Sequence, residues 1–282
     1  MKKLITNISG ISKLSDEAYN SLSKVSEMNY VSISTEKELE ESLKKCDVFW
    51  FRLNHKITSE VLKNAKCRFL LCAVTGLDHI DIDACERFKI KIISLKNENE
   101  FLKEVRATAE HSFGLLLALI RKSKSAFKHT ESFNWNRNLF QGEELYNKNI
   151  GILGFGRLGK ITAEYAKAFG MNVFYFDKIE DKQTDFVRCK TINELVNKVD
   201  VLTIHITYDQ TTKFILNADV LEKAKSNLYI VNTSRGGIVN EDAILMYLKK
   251  GKIKGYATDV LYKEQNISNN KLITYANENE NV

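Results

Sequence analysis

Proline is missing altogether from these 282 residues, where ordinary usage of ~5% would supply roughly fourteen. Cysteine is present but carries no pattern. Cys46, Cys67, Cys72, Cys85 and Cys189 form no CxxC pair and have no histidine at metal-ligand spacing, so no bound metal is expected. They read as reduced, mostly buried thiols. Long apolar runs are also absent: the longest uncharged one, His111 to Ile120, is about half the ~20 residues a bilayer span needs. Met1-Lys2-Lys3 opens like a signal peptide, but polar residues break up the following LITNISGIS, so no secretory leader is expected and cytoplasm is the default location. Nor is there a basic stripe. The formal net charge is +6, yet the lysines are scattered along helix-like segments without interleaved aromatics, which describes a solvated surface and not a nucleic-acid site.

What is present is an alternation of strand-like and helix-like segments, with 44% hydrophobic content, enough for one large or two ordinary domains. The spacing predicts strands at Leu4–Ile8, Tyr30–Ile33, Val48–Phe51, Phe69–Val74 and Ile90–Ser94, with helices starting near Ser15, Thr35, Thr58 and Asp81. Thr35 and Glu38 make a capping box. Alternation of this kind argues for a parallel sheet with helices on both faces, and residues 1–96 are expected to form one such domain. A long helix is predicted over Glu104 to Phe127, apolar nearly all round in its centre and so suited to an interior or an interface. The segment after it carries Phe133, Trp135 and Phe140 without clear periodicity: either a dimer contact or a cover for its own core. Further strands are predicted near Asp200–His205, Leu228–Asn232 and Lys254–Asp259, separated by helices near Thr191–Lys198, Asn217–Lys225 and Asn240–Lys250.

Between these halves lies NIGILGFGRLGKITAEYAKAFGMNVFYFD, residues 149–177. A short apolar strand breaks into Gly154-Phe155-Gly156-Arg157-Leu158-Gly159 before a run with helical spacing, and a second apolar run ends on Asp177. That is the order of a βαβ dinucleotide unit. Gly154 allows the tight turn, Gly156 lets the main chain approach a pyrophosphate, Gly159 lets helix pack on strand, and the first helical N–H groups face the phosphates. Asp177 can accept from both ribose hydroxyls and would repel a 2′-phosphate, which favours NAD over NADP, a preference that Lys178 slightly weakens.

In open parallel sheets ligands collect beyond the carboxyl ends of the strands. Thr233-Ser234-Arg235-Gly236-Gly237 follows one predicted strand, and the planar fork of Arg235 suits a carboxylate. Asp259 and Glu264 follow the next, and His205 ends an earlier one. Taken singly, His205 reads as a strand-end histidine, Arg235 as a surface cation and Glu264 as one more exposed carboxylate. Together with the glycine loop they read as a site. His55, His79, His111 and His129 read as structural.

The segments GFGRLG, DVLTIHITYDQTT, LYIVNTSRGGIVNEDAIL and KGYATDVLYKE resemble the D-isomer-specific 2-hydroxyacid dehydrogenase family. LNHKITSEVLKNAK, CAVTGLDHIDIDAC and ATAEHSFGLLLALIRK are similar to its substrate-domain and interdomain segments, so the resemblance covers about residues 45 to 264. It implies an α/β chain of two parallel-sheet domains. Residues 1–96 would be a flavodoxin-like substrate domain, 97–265 a Rossmann NAD-binding domain with interdomain helix and dimer arm, and 266–282 a short tail, one reading of which is truncation. It also implies hydride transfer between nicotinamide and C2 of a D-2-hydroxy acid lying between the domains, in a homodimer that contacts neither nucleic acid nor membrane. Arg235 matches the arginine that binds substrate carboxylate and C2 oxygen, and Glu264 the acid that pairs with a catalytic histidine. Val74, Thr75 and Gly76 match the turn that holds the substrate carboxylate. Gly154, Gly156, Arg157, Leu158, Gly159, Asp177, His205, Thr233 and Asp259 fall on cofactor-side positions.

One departure stands out. Where the family has Thr-Pro-His, this chain has Thr274-Tyr275-Ala276, with neither the proline nor the histidine. Three readings follow: a truncated or frame-altered tail on a working enzyme, another base such as Tyr275, or an NAD-binding regulatory homologue without turnover. An alanine or S-adenosylhomocysteine type of NAD enzyme is disfavoured by Arg235 with Glu264.

Overall fold

Every strand pairs parallel with its neighbours, and the chain distributes them over two sheets. The computed structural model describes residues 3–179, 184–264 and 266–282, and it divides into two units, Met1–Leu102 and Lys103–Val282. The division thus falls a few residues beyond the predicted boundary at 96.

The first unit runs β1 (Leu4–Ile8), α1 (Asp16–Leu22), β2 (Ser26–Tyr30), α2 (Glu36–Lys45), β3 (Val48–Phe51), α3 (Ser59–Leu62), β4 (Phe69–Cys72), α4 (Ile82–Arg87), β5 (Lys91–Ser94) and α5 (Asn99–Lys103), where the unit ends. Its sheet order is β2-β1-β3-β4-β5, the flavodoxin-like order. Side chains cap four of the helices as their sequences suggest: Ser15, Thr35, Thr58 and Asp81 each accept a first-turn N–H, and Glu38 completes the Thr35 box. Leu43, Phe49, Phe51 and Leu70 close the core. Burying each is worth roughly 1.5–3 kcal/mol. One strand sits earlier than predicted, at Ser26–Tyr30 and not Tyr30–Ile33. The polar Ser26 is drawn in by hydrogen bonds to Thr6 Oγ1 and the Leu4 carbonyl, while the apolar Val31 and Ile33 pack on the core just past the strand end.

The second unit runs α6 (Ala107–Ile120), α7 (Ser123–Glu131), a 3-10 turn at Arg137–Phe140, β6 (Asn149–Leu153), α8 (Arg157–Ala168), β7 (Asn172–Phe176), β8 (Val187–Arg188), α9 (Ile192–Lys198), β9 (Val201–Ile204), α10 (Ala218–Glu222), β10 (Leu228–Asn232), a 3-10 turn at Gly236–Ile238, α11 (Glu241–Lys249), β11 (Ile253–Thr258) and α12 (Lys271–Glu278). Its order, β11-β10-β9-β6-β7-β8, is that of a doubly wound dinucleotide-binding sheet, with the switch point between β6 and β9.

The predicted helix over Glu104–Phe127 is two helices, α6 and α7, with α5 ending just before it. Lys122 takes a left-handed backbone (φ +55), and the Ile120 carbonyl accepts the N–H of Glu143 from the returning chain, so α6 stops there. The tail is ordered: Lys271–Glu278 is a helix capped by Asn270 and packed on the core through Leu272. All five cysteines are buried and free. Among the described residues no helix is long and apolar enough to cross a membrane, and no cluster of three metal-binding side chains occurs.

Candidate active site

The glycine turn sits at the switch point. Gly154 has φ +95, a conformation that side chains resist, and its N–H donates to the Phe176 carbonyl of β7 at 2.9 Å. A Cβ on Gly159 would lie 2.1 Å from the Gly154 carbonyl oxygen, so only glycine lets α8 start this close to β6. Phe155, between the first two glycines, is buried and stacks on Tyr175 with ring centroids 4.0 Å apart. Leu158 is half-buried on the first turn of α8. Arg157 does not point outward: its Nη1 donates to the Val105 carbonyl at 2.5 Å, just before α6.

Asp177 directly follows β7 and folds back onto this turn, accepting from Phe155 N–H at 2.7 Å and from Ile179 N–H at 2.9 Å. Beside it opens a cavity of about 300 Å³ walled by Gly154, Gly156, Asp177, Ile206, Thr207 and Ile215. His205 lies on the same wall. Its Nε2 is 2.8 Å from Thr203 Oγ1, which is 3.2 Å from Ser112 Oγ on α6. Burial holds the His205 imidazole down at about 4, so it is neutral near pH 7.

After β10 the chain turns sharply through Thr233-Ser234-Arg235. The fully buried Asn232 shapes this turn: its Nδ2 donates to the Arg235 carbonyl at 3.0 Å and its Oδ1 accepts from Ser234 N–H at 3.1 Å. Ser234 Oγ ties the loop to β9 by donating to the Ile204 carbonyl, and Arg235 Nη1 donates to the Ser234 carbonyl. A Cβ on Gly236 would meet Leu261 C at 2.0 Å and Tyr262 N at 2.3 Å, so the 261–264 turn lies flat against the arginine loop. Glu241 pins that turn from the other side through Tyr262 N–H and Asn270 Nδ2. Glu264 is exposed, and its Oε1 accepts from Leu261 N–H at 3.2 Å.

The family description "D-isomer specific 2-hydroxyacid dehydrogenase, NAD binding domain" matches residues 113–279, and the catalytic-domain description of the same family matches residues 5–174. The chain belongs to the D-isomer specific 2-hydroxyacid dehydrogenase family. It is 32% identical over 269 residues to a D-3-phosphoglycerate dehydrogenase of Methanocaldococcus jannaschii, covering 94% of this chain and 50% of that one. A glyoxylate reductase of Pyrococcus furiosus is 31% identical over 252 residues, covering 86% and 73%. The D-lactate dehydrogenase of Aquifex aeolicus, solved with NAD and lactic acid, superposes with a TM-score of 0.83 at 24% identity, covering 98% and 86%, which shows the shared fold. The chain spans about half the length of the phosphoglycerate dehydrogenases it matches.

As a member of this dehydrogenase family the second unit has to accommodate a dinucleotide, and its residues fit one. A Cβ on Gly156 would meet nothing within 4 Å, so the turn is open where a pyrophosphate would lie. Helix α8 has Gly156 at its start and no side-chain cap, which leaves first-turn N–H groups facing the same space. Thr233 Oγ1 is buried just after β10 and has no hydrogen-bond partner among the described residues, a free donor and acceptor. In the first unit, Val74, Thr75 and Gly76 form a bend after β4 in which Val74 donates to the Cys72 carbonyl and accepts from Leu95 N–H.

Two placements were not legible beforehand. Asp259, just past the carboxyl end of β11, pairs with His111 of α6, Nε2 to Oδ2 at 3.3 Å, a contact between residues far apart in sequence. Tyr275, one candidate for a replacement base, is at the opposite end of the strands: it packs on the core and shares a cavity with Tyr229 and Lys254, near the starts of β10 and β11. It is remote from the loop of Arg235, which follows the other end of β10.

Proposed function

We propose that this chain is an NAD-dependent oxidoreductase that transfers a hydride between nicotinamide and C2 of a D-2-hydroxy acid, phosphoglycerate-like or glycerate- and glyoxylate-like. The observation that carries the reading is the open glycine turn at the switch point with Asp177 on the adjoining cavity wall. Asp177 binds the adenosine ribose, the N–H groups of α8 bind the pyrophosphate, and Thr233 hydrogen-bonds the cofactor with its unpaired hydroxyl. When bound, the cofactor supplies or takes up the hydride. Arg235 grips the substrate carboxylate and C2 oxygen from a loop whose backbone Asn232 braces and whose Ser234 carbonyl accepts from the guanidinium. The first unit serves as the substrate domain and the second as the nucleotide domain. Five buried free thiols suit a reducing cytoplasm. A second copy of the chain is the partner that fits the exposed aromatics after α7.

Fluorescence titration with NADH and stopped-flow mixing with glyoxylate, pyruvate, hydroxypyruvate and phosphohydroxypyruvate test this. Saturable binding and NADH oxidation by at least one acid are expected. In Asp177→Ala, the preference for NADH over NADPH in kcat/KM should drop about tenfold or more, a loss of ~1.4 kcal/mol or more. Saturable NADH binding without oxidation by any of the four acids would remove the enzyme reading.

A further inference from the structure

Reducing a 2-oxo acid leaves negative charge on the C2 oxygen that a proton has to meet, so some group near Arg235 must carry one. Glu264 is occupied as a cap of its own turn, and Tyr275 is at the wrong end of the sheet. Two histidines remain at the right end. His205 is held neutral near pH 7 by burial and sits on the nucleotide cavity.

His111 is different in setting. It is about half exposed, on the α6 face that lies over the carboxyl ends of the strands, with Asp259 3.3 Å from its Nε2. Its neighbour Ser112 is hydrogen-bonded to Thr203 near the end of β9. Asp259 follows Thr258, whose Oγ1 donates to the Asn232 carbonyl on the adjacent strand at 2.9 Å. Neighbouring strands are ~4.8 Å apart, so the residue after Thr258 and the loop after Asn232 stand side by side. The imidazole–carboxylate pair and the guanidinium of Arg235 are thereby placed on one rim of one sheet.

We propose that the His111–Asp259 pair gives and takes the proton on the substrate C2 oxygen, a role that rests on the dehydrogenase reading above. Asp259, 3.3 Å from Nε2, pairs with the imidazolium on that side, and Nδ1 is the nitrogen left for the substrate. In the reducing direction C2 gains the hydride with its two electrons, the electrons of the C–O π bond settle on oxygen, and the proton on His111 Nδ1 moves to that oxygen. The product is the 2-hydroxy acid and a neutral imidazole. Solvent restores the proton to the exposed ring, and oxidation runs the same transfer backwards.

The test uses the full chain, with His111→Gln and wild type side by side. Gln keeps the size and polarity of the ring, so NADH affinity should stay within about twofold while kcat falls ~10²–10⁴-fold and the limb of the kcat/KM pH profile owed to this group disappears. A readout free of turnover is acylation of His111 by diethylpyrocarbonate, followed by peptide mass spectrometry. NADH together with oxalate, an unreactive dicarboxylate of similar shape, should protect His111 severalfold. Wild-type turnover with an unchanged His111→Gln rate and pH profile, or bound oxalate without protection, would overturn the proposal and leave the dehydrogenase reading standing. A wild type that binds NADH and reduces no acid overturns both.

Discussion

His205 shows how one side chain couples burial to pH. Its folded value of about 4 lies below its ordinary 6.5. The unfolded chain therefore binds a proton first, and the stability this group contributes is fully present above about pH 6.5 and is lost as pH falls towards 4. Between pH 7 and pH 5 the loss comes to at most ~2 kcal/mol. Urea unfolding of wild type and His205→Asn at those two pH values measures it, because the variant lacks the titrating ring. The gap between the two proteins should narrow at pH 5. Parallel losses in both would show that the imidazole is not held neutral by its surroundings.

The same contrast explains which side chains were legible in the sequence. Gly154, Gly159, Asp177 and Arg235 act through the backbone next to them, so spacing along the chain reveals them. Asn232 and His111 do not. Asn232 looks like one more strand residue until the turn it braces is seen, and nothing local to His111 announces Asp259 as its partner. The side chain of Arg157, at an expected cofactor-side position, ties the glycine turn to the segment before α6, a tie that spacing along the chain does not announce.

Among the secondary-structure elements, helix starts follow local chemistry and helix ends follow packing. Thr35, Thr58, Thr191, Asn217 and Asn240 cap where their own sequences say they should. The stop at Ile120 needs Glu143 from a later loop, and the shift of β2 needs Thr6 across the sheet, so neither could be read along the chain. Two glycines turn this difference into an experiment. Gly236→Ala puts a methyl 2.0 Å from Leu261 C, where backbone has to move. It should cost ~1–3 kcal/mol and loosen the 261–264 turn. Gly114→Ala, on the exposed side of α6 with nothing within 4 Å, should instead stabilise by ~0.5–1 kcal/mol. Denaturant midpoints of the two variants should move in opposite directions, and a neutral Gly236→Ala would mean that the turn does not rest on the arginine loop.

For the molecule as a whole, alternation of strand and helix was enough to foresee two parallel sheets, because crossover rules leave few ways to wind them. Association with another chain is a surface property and had two readings in the sequence. The arm after α7 separates them in part. Phe140 packs on His129, with centroids 5.2 Å apart, and so covers its own unit. Phe133 is fully exposed, and Trp135, Phe127 and Leu139 are 86%, 67% and 53% exposed. Three exposed aromatics and a leucine from the last turns of α7 through the arm cost solubility unless a partner covers them, and a two-fold interface would bring the arm against the same partner surface twice. About 800 Å² per partner is needed for a stable dimer, and such an arm has to supply a large part of it. Light scattering at micromolar concentration should therefore give twice the 32.3 kDa of one chain, and the double change Phe133→Ser with Trp135→Glu should return it to 32.3 kDa with the far-UV spectrum unchanged. A wild type already at the single-chain mass would remove the arm as a dimer contact.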